Sequence, residues 1–483
     1  MTVDQHDLQG NVLCGYGFPL AKFEFVRLGE AAAGRRLLAQ LRPALTDATS
    51  WGSSPPPFAI NLSLGWQGLR ALEVPDAVLE RFPEELRAGM AGRADVLGDA
   101  GEAAPGRWQE ELRPGRIELV VALSGRDEPG LEQAVAALRA AVDRAGPGVV
   151  LDHEEPAAVI AVPGESLARE HFGFADGFAQ PAIDDPRAGP YNKPGQGTPA
   201  GERNWKPIAP GEFVLGYRDE DGVVPGRELG ALGRDATFTV FRKLHQEVAG
   251  FRAFLDEHAG DRGPEWLASR LMGRWRDGTP VEASPDAPHA EWASEPRGAR
   301  LNDFRYAGDP DGHRCPLGAH VRRANPRDAL GWGGTLTRRH RIIRRGMPYG
   351  RPLPEGADDD RADRGLMFVC HQASIARQFE VIQGLWLADG DALGLGDDTD
   401  PIVAGPRPAP APAKFTIEGR EPRFVGPLRR FVTMRGGEYL FTPGLAAVQA
   451  LADGGGPWWG TGASTRRRSP ARPRSSAAAG RAR

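Results

Sequence analysis

The chain has 483 residues, and at this length two domains are expected because a single hydrophobic core rarely grows so large. With 40% hydrophobic and 26% charged residues, the composition is that of a soluble globular protein and excludes general disorder. A net charge of -4 argues against non-specific binding of nucleic acid, and no apolar run is long enough for a membrane helix.

The N-terminus and the cysteines indicate the cellular compartment. The chain begins MTVDQHDLQG, which contains neither the basic nor the apolar region of a secretory signal, so we expect a cytoplasmic protein. Cys14, Cys315 and Cys370 lie too far apart in the sequence for a disulfide framework or a cysteine-rich zinc site. We therefore expect these cysteines to be reduced.

In the first half of the chain, short β-rich runs are followed by amphipathic helices. A strand that starts at Phe58 leads into a short helix, and a buried strand is predicted over residues 117–123. A turn at 127–130 precedes a second helix. Its predicted buried face carries apolar residues at helical spacing, which are Leu131, Val135, Leu138 and Val142.

The second half repeats this plan. Residues 237–241 and 366–370 are predicted as strands. Each is followed by a predicted helix, whose buried face carries Val248, Phe251 and Leu255 in the first case and Ile375, Phe379 and Ile382 in the second. Two strand–helix units in each half indicate an α+β fold built from a duplicated module, with antiparallel sheets covered by helices.

Composition divides the chain into two domains and a tail. We predict an N-terminal domain over 1–183, a Gly- and Pro-rich connecting loop over 184–212 and a C-terminal domain over 213–453. Residues 454–483 contain seven arginines from Arg466 onward and no acid there, and we predict that this segment is disordered. Such a tail either binds acidic surfaces or is solvated and without function.

Three segments combine ionisable side chains with glycine and proline, and the first surrounds Asp176. In HisPheGlyPheAlaAspGlyPheAla, which starts at His171, this carboxylate lies among glycines in an otherwise apolar run. Glycine allows backbone conformations that could hold the carboxylate at a cavity. The alternative is a turn in which the aspartate caps the following segment.

The second segment, CysProLeuGlyAlaHisValArgArgAlaAsnProArg from Cys315, contains His320 and several arginines. An imidazole close to guanidinium groups can ligate a metal while the arginines hold anionic groups, as in a haem with its propionates. The alternative is a histidine that is satisfied within the core, beside a solvated basic face.

The third segment, ArgIleIleArgArgGlyMetProTyrGly from Arg341, places Arg344 between two isoleucines and a Gly/Pro turn. This pattern predicts a strand end that delivers a guanidinium into the interior, where it can stabilise a developing oxyanion. The alternative is a structural ion pair or a solvated strand end.

In this order, these segments resemble the haem-dependent dye-decolorising peroxidases. The resemblance extends over about residues 7–452. It rests chiefly on AspLeuGlnGlyAsnValLeu at 7–13, GlyPheAlaAspGly at 173–177, GlyAlaHis-x-ArgArg-x-AsnProArg at 318–327, ArgArgGly-x-ProTyrGly at 344–350, GlyLeuMetPheValCysHisGlnAlaSerIle at 365–375 and GlyGlyGluTyrLeuPheThrProGly at 436–444. Ordered agreement of this extent is far more specific than one short motif.

The resemblance implies a fold and a cofactor. The fold is two ferredoxin-like α+β domains with antiparallel sheets, and the cofactor is one haem b per chain, held mainly by the C-terminal domain. His320 takes the position of the proximal ligand of the haem iron, and Arg327 that of a propionate partner. Asp400 is the candidate for a hydrogen bond to the other ring nitrogen of His320, which would make the imidazole a stronger donor.

On the distal side of the haem, the resemblance places Asp176 and Arg344 as catalytic residues and Leu366 and Phe368 as apolar lining. Asp176 would move a proton between the oxygens of hydrogen peroxide, and Arg344 would stabilise the charge on the leaving oxygen. A carboxylate, with an ordinary pKa near ~3.9, remains a base in acid. We therefore expect an acidic optimum.

The implied activity is that of a haem peroxidase that reduces hydrogen peroxide and oxidises dyes, phenols or other bulky one-electron donors. Because bulky donors cannot enter a haem cavity, Tyr349 and Trp386 are candidate electron relays, with core packing as the alternative for both. A haem-handling, chelatase-like protein with incidental peroxidase activity is the alternative function, but it needs neither Asp176 nor Arg344. A metal-free hydrolase using Asp176 and His320 is disfavoured because no GxSxG motif accompanies them.

Overall fold

One antiparallel sheet runs through both halves of the chain. It is seen in a computed structural model that describes residues 2–49, 51, 54–184, 195–200, 204–295, 299–404 and 413–456. The strands are β1 (Leu20–Leu28), β2 (Phe58–Gly65), β3 (Leu119–Gly125), β4 (Val149–Ala158), β5 (Thr198–Ala200), β6 (Asn204–Lys206), β7 (Thr237–Gln246), β8 (Ile343–Arg344), β9 (Met347–Tyr349), β10 (Gly365–Gln372), β11 (Phe415–Ile417), β12 (Arg423–Val425) and β13 (Val432–Thr442).

The strand order of this sheet repeats one pattern twice. The order is β4-β1-β3-β2-β13-β7-β10-β8, and β9 also pairs with β10. All of these pairings are antiparallel. If β8 and β9 count as one interrupted strand, each half runs from its fourth strand to its first, third and second, as in a ferredoxin-like unit. The predicted α+β class with two ferredoxin-like, antiparallel units is confirmed.

The structure differs from the prediction in that the sheets of the two halves are joined. β2 and β13 pair through Leu64 with Phe441 and through Gly65 with Leu440. Each of these strands would otherwise present unpaired backbone N–H and C=O groups at the edge of its half, and the pairing satisfies some of them. The two units therefore share one continuous sheet.

Helices cover this sheet. The α-helices are α1 (Gly10–Leu13), α2 (Ala31–Leu41), α3 (Trp66–Ala71), α4 (Asp76–Leu79), α5 (Glu84–Gly92), α6 (Ala94–Leu97), α7 (Glu128–Ala145), α8 (Val248–His258), α9 (Pro264–Met272), α10 (Ala299–Asn302), α11 (His320–Ala324) and α12 (Leu445–Ala452). A π-helix extends over Ile375–Leu387. Within the described residues, no helix has both the length and the apolar character needed to cross a membrane.

All four predicted strand–helix units are present. β2, β3, β7 and β10 overlap the predicted strands, and each is followed by a helix at the predicted place. The helix after β10 is a π-helix, in which the backbone hydrogen bonds join residues five apart. The spacing of apolar residues does not distinguish this pattern from that of an α-helix. The long strands β1, β4 and β13 have no predicted counterpart, and in β13 a β-bulge between Met434 and Gly436 interrupts the alternation of side chains.

The predicted domain boundaries fall partly outside the described residues. The connecting loop predicted over 184–212 contains a small hairpin, β5–β6, in its described part. The basic tail predicted over 454–483 lies outside the described residues from 457 onward. The boundaries therefore stay a prediction.

Two of the hydrophobic cores in the described part of the chain pack helices against the sheet. The larger core joins α2, α7 and α12 to β2, β3 and β13, through buried side chains that include Leu37, Leu64, Leu138 and Val448. The second core packs α8 and α9 around Phe251 and Phe254. Side chains of β7, β10 and β13 border a cavity that this second core leaves open.

A carboxyl group is buried in the middle of the sheet. Glu438 on β13 accepts hydrogen bonds from the backbone N–H groups of Met90 (2.8 Å) and Tyr439 (2.9 Å). α5 is interrupted at Gly89, where a φ of +70° lets the chain approach this carboxyl group. Burial raises the pKa of Glu438 to about 7, and the two amide hydrogen bonds only partly oppose this effect.

We expect folding stability to fall as the pH rises from the ordinary Glu pKa of 4.5 to about 7, because the buried Glu438 carboxyl must then lose its proton. The contribution is at most about 3 kcal/mol. Glu438→Gln removes it, so the melting temperature of this variant should change less between about pH 5 and about pH 8. Thermal unfolding followed by circular dichroism measures the difference.

The control for this measurement is Glu228→Gln, which changes an exposed carboxylate. It should keep the pH dependence of the wild type. If Glu438→Gln also keeps that dependence, Glu438 is not one of the groups that couple folding to pH.

Candidate active site

A cavity of about 640 Å³ contains most of the predicted site residues. It lies against α11, the π-helix and one face of β7 and β10. Six predicted site residues line it, and they are Asp176, His320, Arg327, Arg344, Leu366 and Phe368. Asp400 is hydrogen-bonded to His320 behind the cavity wall. The fold thus brings together side chains from segments that are distant in the sequence.

His320 is the first residue of α11, and Asp400 fixes its imidazole ring. Nδ1 of His320 lies 2.9 Å from Oδ2 of Asp400. Oδ1 of Asp400 accepts hydrogen bonds from the backbone N–H groups of Ile402 (2.9 Å) and Val403 (2.8 Å). Because a carboxylate can only accept, Nδ1 of His320 carries the proton, and the lone pair of Nε2 remains for a ligand in the cavity.

The pKa values of this pair are coupled. Burial lowers the pKa of His320, but the charge and the hydrogen bond of Asp400 together outweigh burial and leave the pKa raised. Asp400 is fully buried, which by itself would raise its pKa, yet His320, the amide hydrogen bond of Val403 and the charge of Arg323 hold that pKa below its usual range. The imidazole is therefore held in one orientation, and 24% of its side-chain surface remains exposed.

Asp176 and Arg344 form an ion pair at the same cavity, with Oδ1 and Nη1 3.1 Å apart. Asp176 lies in a loop in which Gly173 and Gly177 have φ values of +93° and +83°, a region that favours glycine. Arg344 ends β8, and its backbone N–H donates to Oε1 of Gln180 (2.9 Å). The two charged side chains remain 36% and 37% exposed, so both are accessible to a ligand.

Glu170, which sequence analysis does not single out, ties the Asp176 loop to the sheet. Its carboxylate accepts hydrogen bonds from the backbone N–H groups of Phe172 and Phe174, both at 2.9 Å. It also accepts a bond of 2.6 Å from Nε2 of Gln246 on β7. Burial raises the pKa of Glu170 despite these bonds. Only its closeness to Asp176 in the sequence could have indicated this role.

β10 supplies the apolar wall that the sequence predicts. Leu366 and Phe368 lie two residues apart, so their side chains project from the same face of the sheet. In the register they pair with Leu244 and Arg242 of β7, which border the same cavity. The wall is therefore built from two adjacent strands.

Five more arginines line this cavity, and three of them are Arg274, Arg327 and Arg341. Arg327 donates to the carbonyl oxygens of Asn302 and Phe304, both at 2.9 Å. In the part of the chain that the structure describes, none of the three forms an ion pair with a carboxylate. Burial, together with repulsion from Arg327 and Arg344, lowers the pKa values of Arg274 and Arg341 to about 9. Positive charges that lie close together and away from water destabilise the fold, and an anionic ligand in the cavity would offset this cost.

The sequence signals for these arginines differ. Arg327 ends the AsnProArg motif and is predicted. Arg341 lies three residues before Arg344 in the third segment, and this position is the signal that could have found it. Arg274 follows α9 outside every motif, so only the structure reveals it.

The donor set fits a haem. A porphyrin supplies four nitrogens to its iron, so one protein ligand is sufficient, and Nε2 of His320 is oriented for that role. The unpaired guanidinium groups suit the two propionates, since guanidinium and carboxylate form strong charge-assisted hydrogen bonds. Among the described residues, no cluster of three or more His, Cys, Asp or Glu side chains is arranged to hold a metal ion.

The two candidate relays are both buried. Tyr349 and Trp386 are 5% and 6% exposed. The Tyr349 hydroxyl donates to Oδ1 of Asp363 (2.9 Å), and the Trp386 ring packs edge-on against His340 with 5.0 Å between ring centroids. Core packing accounts for both side chains, and a relay function stays a prediction.

Comparisons with known proteins point to one family. The family model described as "Dyp-type peroxidase, C-terminal" matches residues 272–397. A dye-decolorizing peroxidase from Mycena epipterygia is 30% identical over 93% of this chain and 87% of its own length. The solved structure of an ancestral D-type dye decolorizing peroxidase has a TM-score of 0.78 at 27% identity, covering 93% of this chain and 99% of that one. A dye-decolorizing peroxidase in complex with 2,6-dimethoxyphenol also has a TM-score of 0.78, at 26% identity, covering 93% and 100%.

Asp400→Asn should lower the pKa of His320, because burial then acts without the opposing carboxylate charge. NMR titration of the imidazole in the cofactor-free protein measures this effect. We expect a value below the ordinary 6.5, compared with one above it in the wild type. Asp397→Asn, at an exposed position nearby, is the control and should leave the titration unchanged. Equal titration in both variants would contradict a charge effect of Asp400.

Proposed function

The chain belongs to the dye-decolorizing peroxidase family, and from this premise we propose that it is a haem peroxidase. It reduces hydrogen peroxide and oxidises dyes, phenols or other one-electron donors. The observation that carries this proposal is the Asp176–Arg344 ion pair at the same cavity as an imidazole oriented by Asp400. A base, a cation and a metal-ligating imidazole at one cavity are the groups that peroxide cleavage at a haem requires.

The cofactor is haem b, one per chain. His320 would ligate its iron through Nε2, with the ring held in orientation by Asp400. Arg327, together with Arg274 and Arg341, would hold the propionates, whose negative charge would balance that of the guanidinium groups. When bound, the haem supplies an iron site for peroxide and the electrons that cleavage of the O–O bond consumes.

Asp176 moves the proton. Hydrogen peroxide must lose a proton at one oxygen and gain a proton at the other, so that the O–O bond breaks and water leaves. The Asp176 carboxylate accepts the first proton and returns it to the leaving oxygen, directly or through one water. Its partial exposure leaves an oxygen atom accessible to peroxide, although Arg344 is already paired with Oδ1.

Arg344 stabilises negative charge at two stages. Its guanidinium lies beside the carboxylate that takes up the proton, and it can also donate to the peroxide anion and to the leaving oxygen. The apolar side chains of Leu366 and Phe368 limit the water around these groups, which strengthens each electrostatic interaction. Because the base is a carboxylate and not an imidazole, we expect an acidic optimum.

The haem-handling alternative is less well supported. A protein that only carries or releases haem needs His320 and the propionate partners, but it has no use for an accessible carboxylate–guanidinium pair. The relative from Mycena epipterygia, which aligns over 87% of its length, is a peroxidase.

Asp176→Asn should leave haem bound and lower the second-order rate of reaction with hydrogen peroxide by about 10²–10⁴-fold, because the amide cannot take up the proton. Stopped-flow spectroscopy of the Soret band measures this rate. Asp256→Asn, which changes an exposed carboxylate on α8, should react like the wild type. Unchanged kinetics in Asp176→Asn would rule out the proposed proton transfer.

Arg341→Leu should act oppositely on the two forms of the protein. Haem should dissociate about 10–100-fold faster, because a charge-assisted hydrogen bond to the cofactor is lost. The cofactor-free protein should melt at a higher temperature, since a half-buried charge without a carboxylate partner among the described residues, repelled by Arg327 and Arg344, is removed. Transfer of haem to apomyoglobin and thermal unfolding measure the two effects.

Arg420→Leu is the matched control, because this arginine is exposed. It should alter neither haem dissociation nor the melting temperature of the cofactor-free form. If Arg341→Leu retains haem as tightly as this control does, Arg341 does not bind a propionate.

A further inference from the structure

The turn that precedes Asp176 determines where this carboxylate lies. Arg169 and Ala175 pair as in a small antiparallel hairpin, and Asp176 is the next residue. Inside the hairpin, the backbone N–H of Glu170 donates to the carbonyl oxygen of Phe174 (3.0 Å). A change in the shape of this hairpin would therefore move the Asp176 carboxylate.

The side chain of Glu170 holds the hairpin closed through three hydrogen bonds. Two come from the backbone N–H groups of Phe172 and Phe174, both at 2.9 Å. The third comes from Nε2 of Gln246 on β7 (2.6 Å) and ties the hairpin to the sheet. Hydrogen bonds to a carboxylate are about twice as strong as those between neutral groups, so a proton on Glu170 weakens all three.

Among the described residues, no cationic side chain pairs with Glu170. Burial and, to a smaller extent, the charge of Asp176 raise the pKa of Glu170 above its ordinary 4.5, although the three hydrogen bonds oppose this shift. The basic side chains of the hairpin and of the elements packed beside it are engaged by other groups, and they are Arg169, His171, Arg274, Arg276, His320 and Arg344. Glu170 therefore takes up a proton more readily than an exposed glutamate does.

We propose that ionised Glu170 holds Asp176 where it reacts, so that protonation of Glu170 sets the acid limit of the reaction with hydrogen peroxide. Glu170 acts through the hairpin and is a positioning residue. This inference rests on the proposed peroxidase function and gives its acidic optimum a lower bound. As the pH falls through the pKa of Glu170, which lies above 4.5, the hairpin loosens and the rate decreases.

Gln246→Met tests the proposal and leaves both carboxylates in place. Loss of the N–H donor should raise the pKa of Glu170, because that hydrogen bond favours the ionised form. The acid limb of the second-order rate with peroxide, measured on the holoenzyme by stopped-flow spectroscopy, should move to higher pH by about half to one unit. The rate on the plateau above the limb should stay within about twofold of the wild type. An unshifted limb would overturn the proposal.

Glu170→Gln should remove this limb, because an amide does not titrate. Its single carbonyl oxygen cannot accept from all three N–H donors, so the plateau rate should fall about tenfold. Glu355→Gln changes an exposed carboxylate and is the control, which should keep the wild-type profile. A wild-type limb in Glu170→Gln would also contradict the proposed role.

The titration can be followed in the cofactor-free protein, where it does not depend on turnover. With isotope-labelled phenylalanine, the amide NMR signals of Phe172 and Phe174 should shift as Glu170 takes up its proton. In Asp176→Asn the midpoint of this shift should move to lower pH, because the charge of Asp176 raises the pKa of Glu170. Loss of the titration in Asp176→Asn would assign it to Asp176 and overturn the proposal.

Stopped-flow mixing of the wild-type holoenzyme with peroxide separates this inference from the proposed function. A Soret shift with the same rate on both sides of the pKa of Glu170 would keep the peroxidase function and refute the role of Glu170. Absence of any Soret shift would refute the peroxidase function, on which that role depends.

Discussion

The cavity is lined by arginines whose positive charge no carboxylate among the described residues balances, and the proposed function depends on this charge. Arg274, Arg327 and Arg341 reach one space without a carboxylate partner among the described residues, and repulsion adds to burial in lowering two of their pKa values. Such an arrangement opposes folding unless an anion completes it. The sheet, the hydrophobic cores and the π-helix therefore hold a positive charge distribution that the anionic groups of the proposed cofactor would balance.

Asp400 and Asp176, the two aspartates beside the cavity, differ in burial and in the number of their hydrogen-bond partners. The functions proposed for them follow from this difference. Asp400 is fully buried, and its oxygens are engaged by an imidazole and two amides, so it fixes an orientation and does not exchange protons with a ligand. Asp176 has one guanidinium partner and keeps 36% of its side-chain surface exposed, which suits a group that binds and releases a proton. Both residues are aspartates, so their different functions result from burial and hydrogen bonding and not from residue type.

The sequence predicted the fold class, and it singled out residues that the fold brings to one cavity, but it did not predict how the strands of the two halves are joined. β2, β7 and β10 follow simple apolar patterns, and Asp176, His320 and Arg344 lie in motifs with glycine or proline. The spacing of apolar residues does not specify the hydrogen-bond pattern of a helix or the pairing of strands that are distant in the sequence. For this reason the sequence did not predict the π-helix or the pairing of β2 with β13. Arg274 and Glu170 act through contacts that only folding creates.

The position of β13 has a consequence for biosynthesis. This strand is inserted between β2 and β7, both of which precede it by far in the chain, and it brings Val432 and Met434 to the cavity wall. During translation the N-terminal unit can fold while the ribosome still holds the rest, but the joined sheet must wait until residue 442 has emerged. The cavity of the proposed haem site is therefore complete only once β13 has joined the sheet, so cofactor loading would follow assembly of the whole sheet.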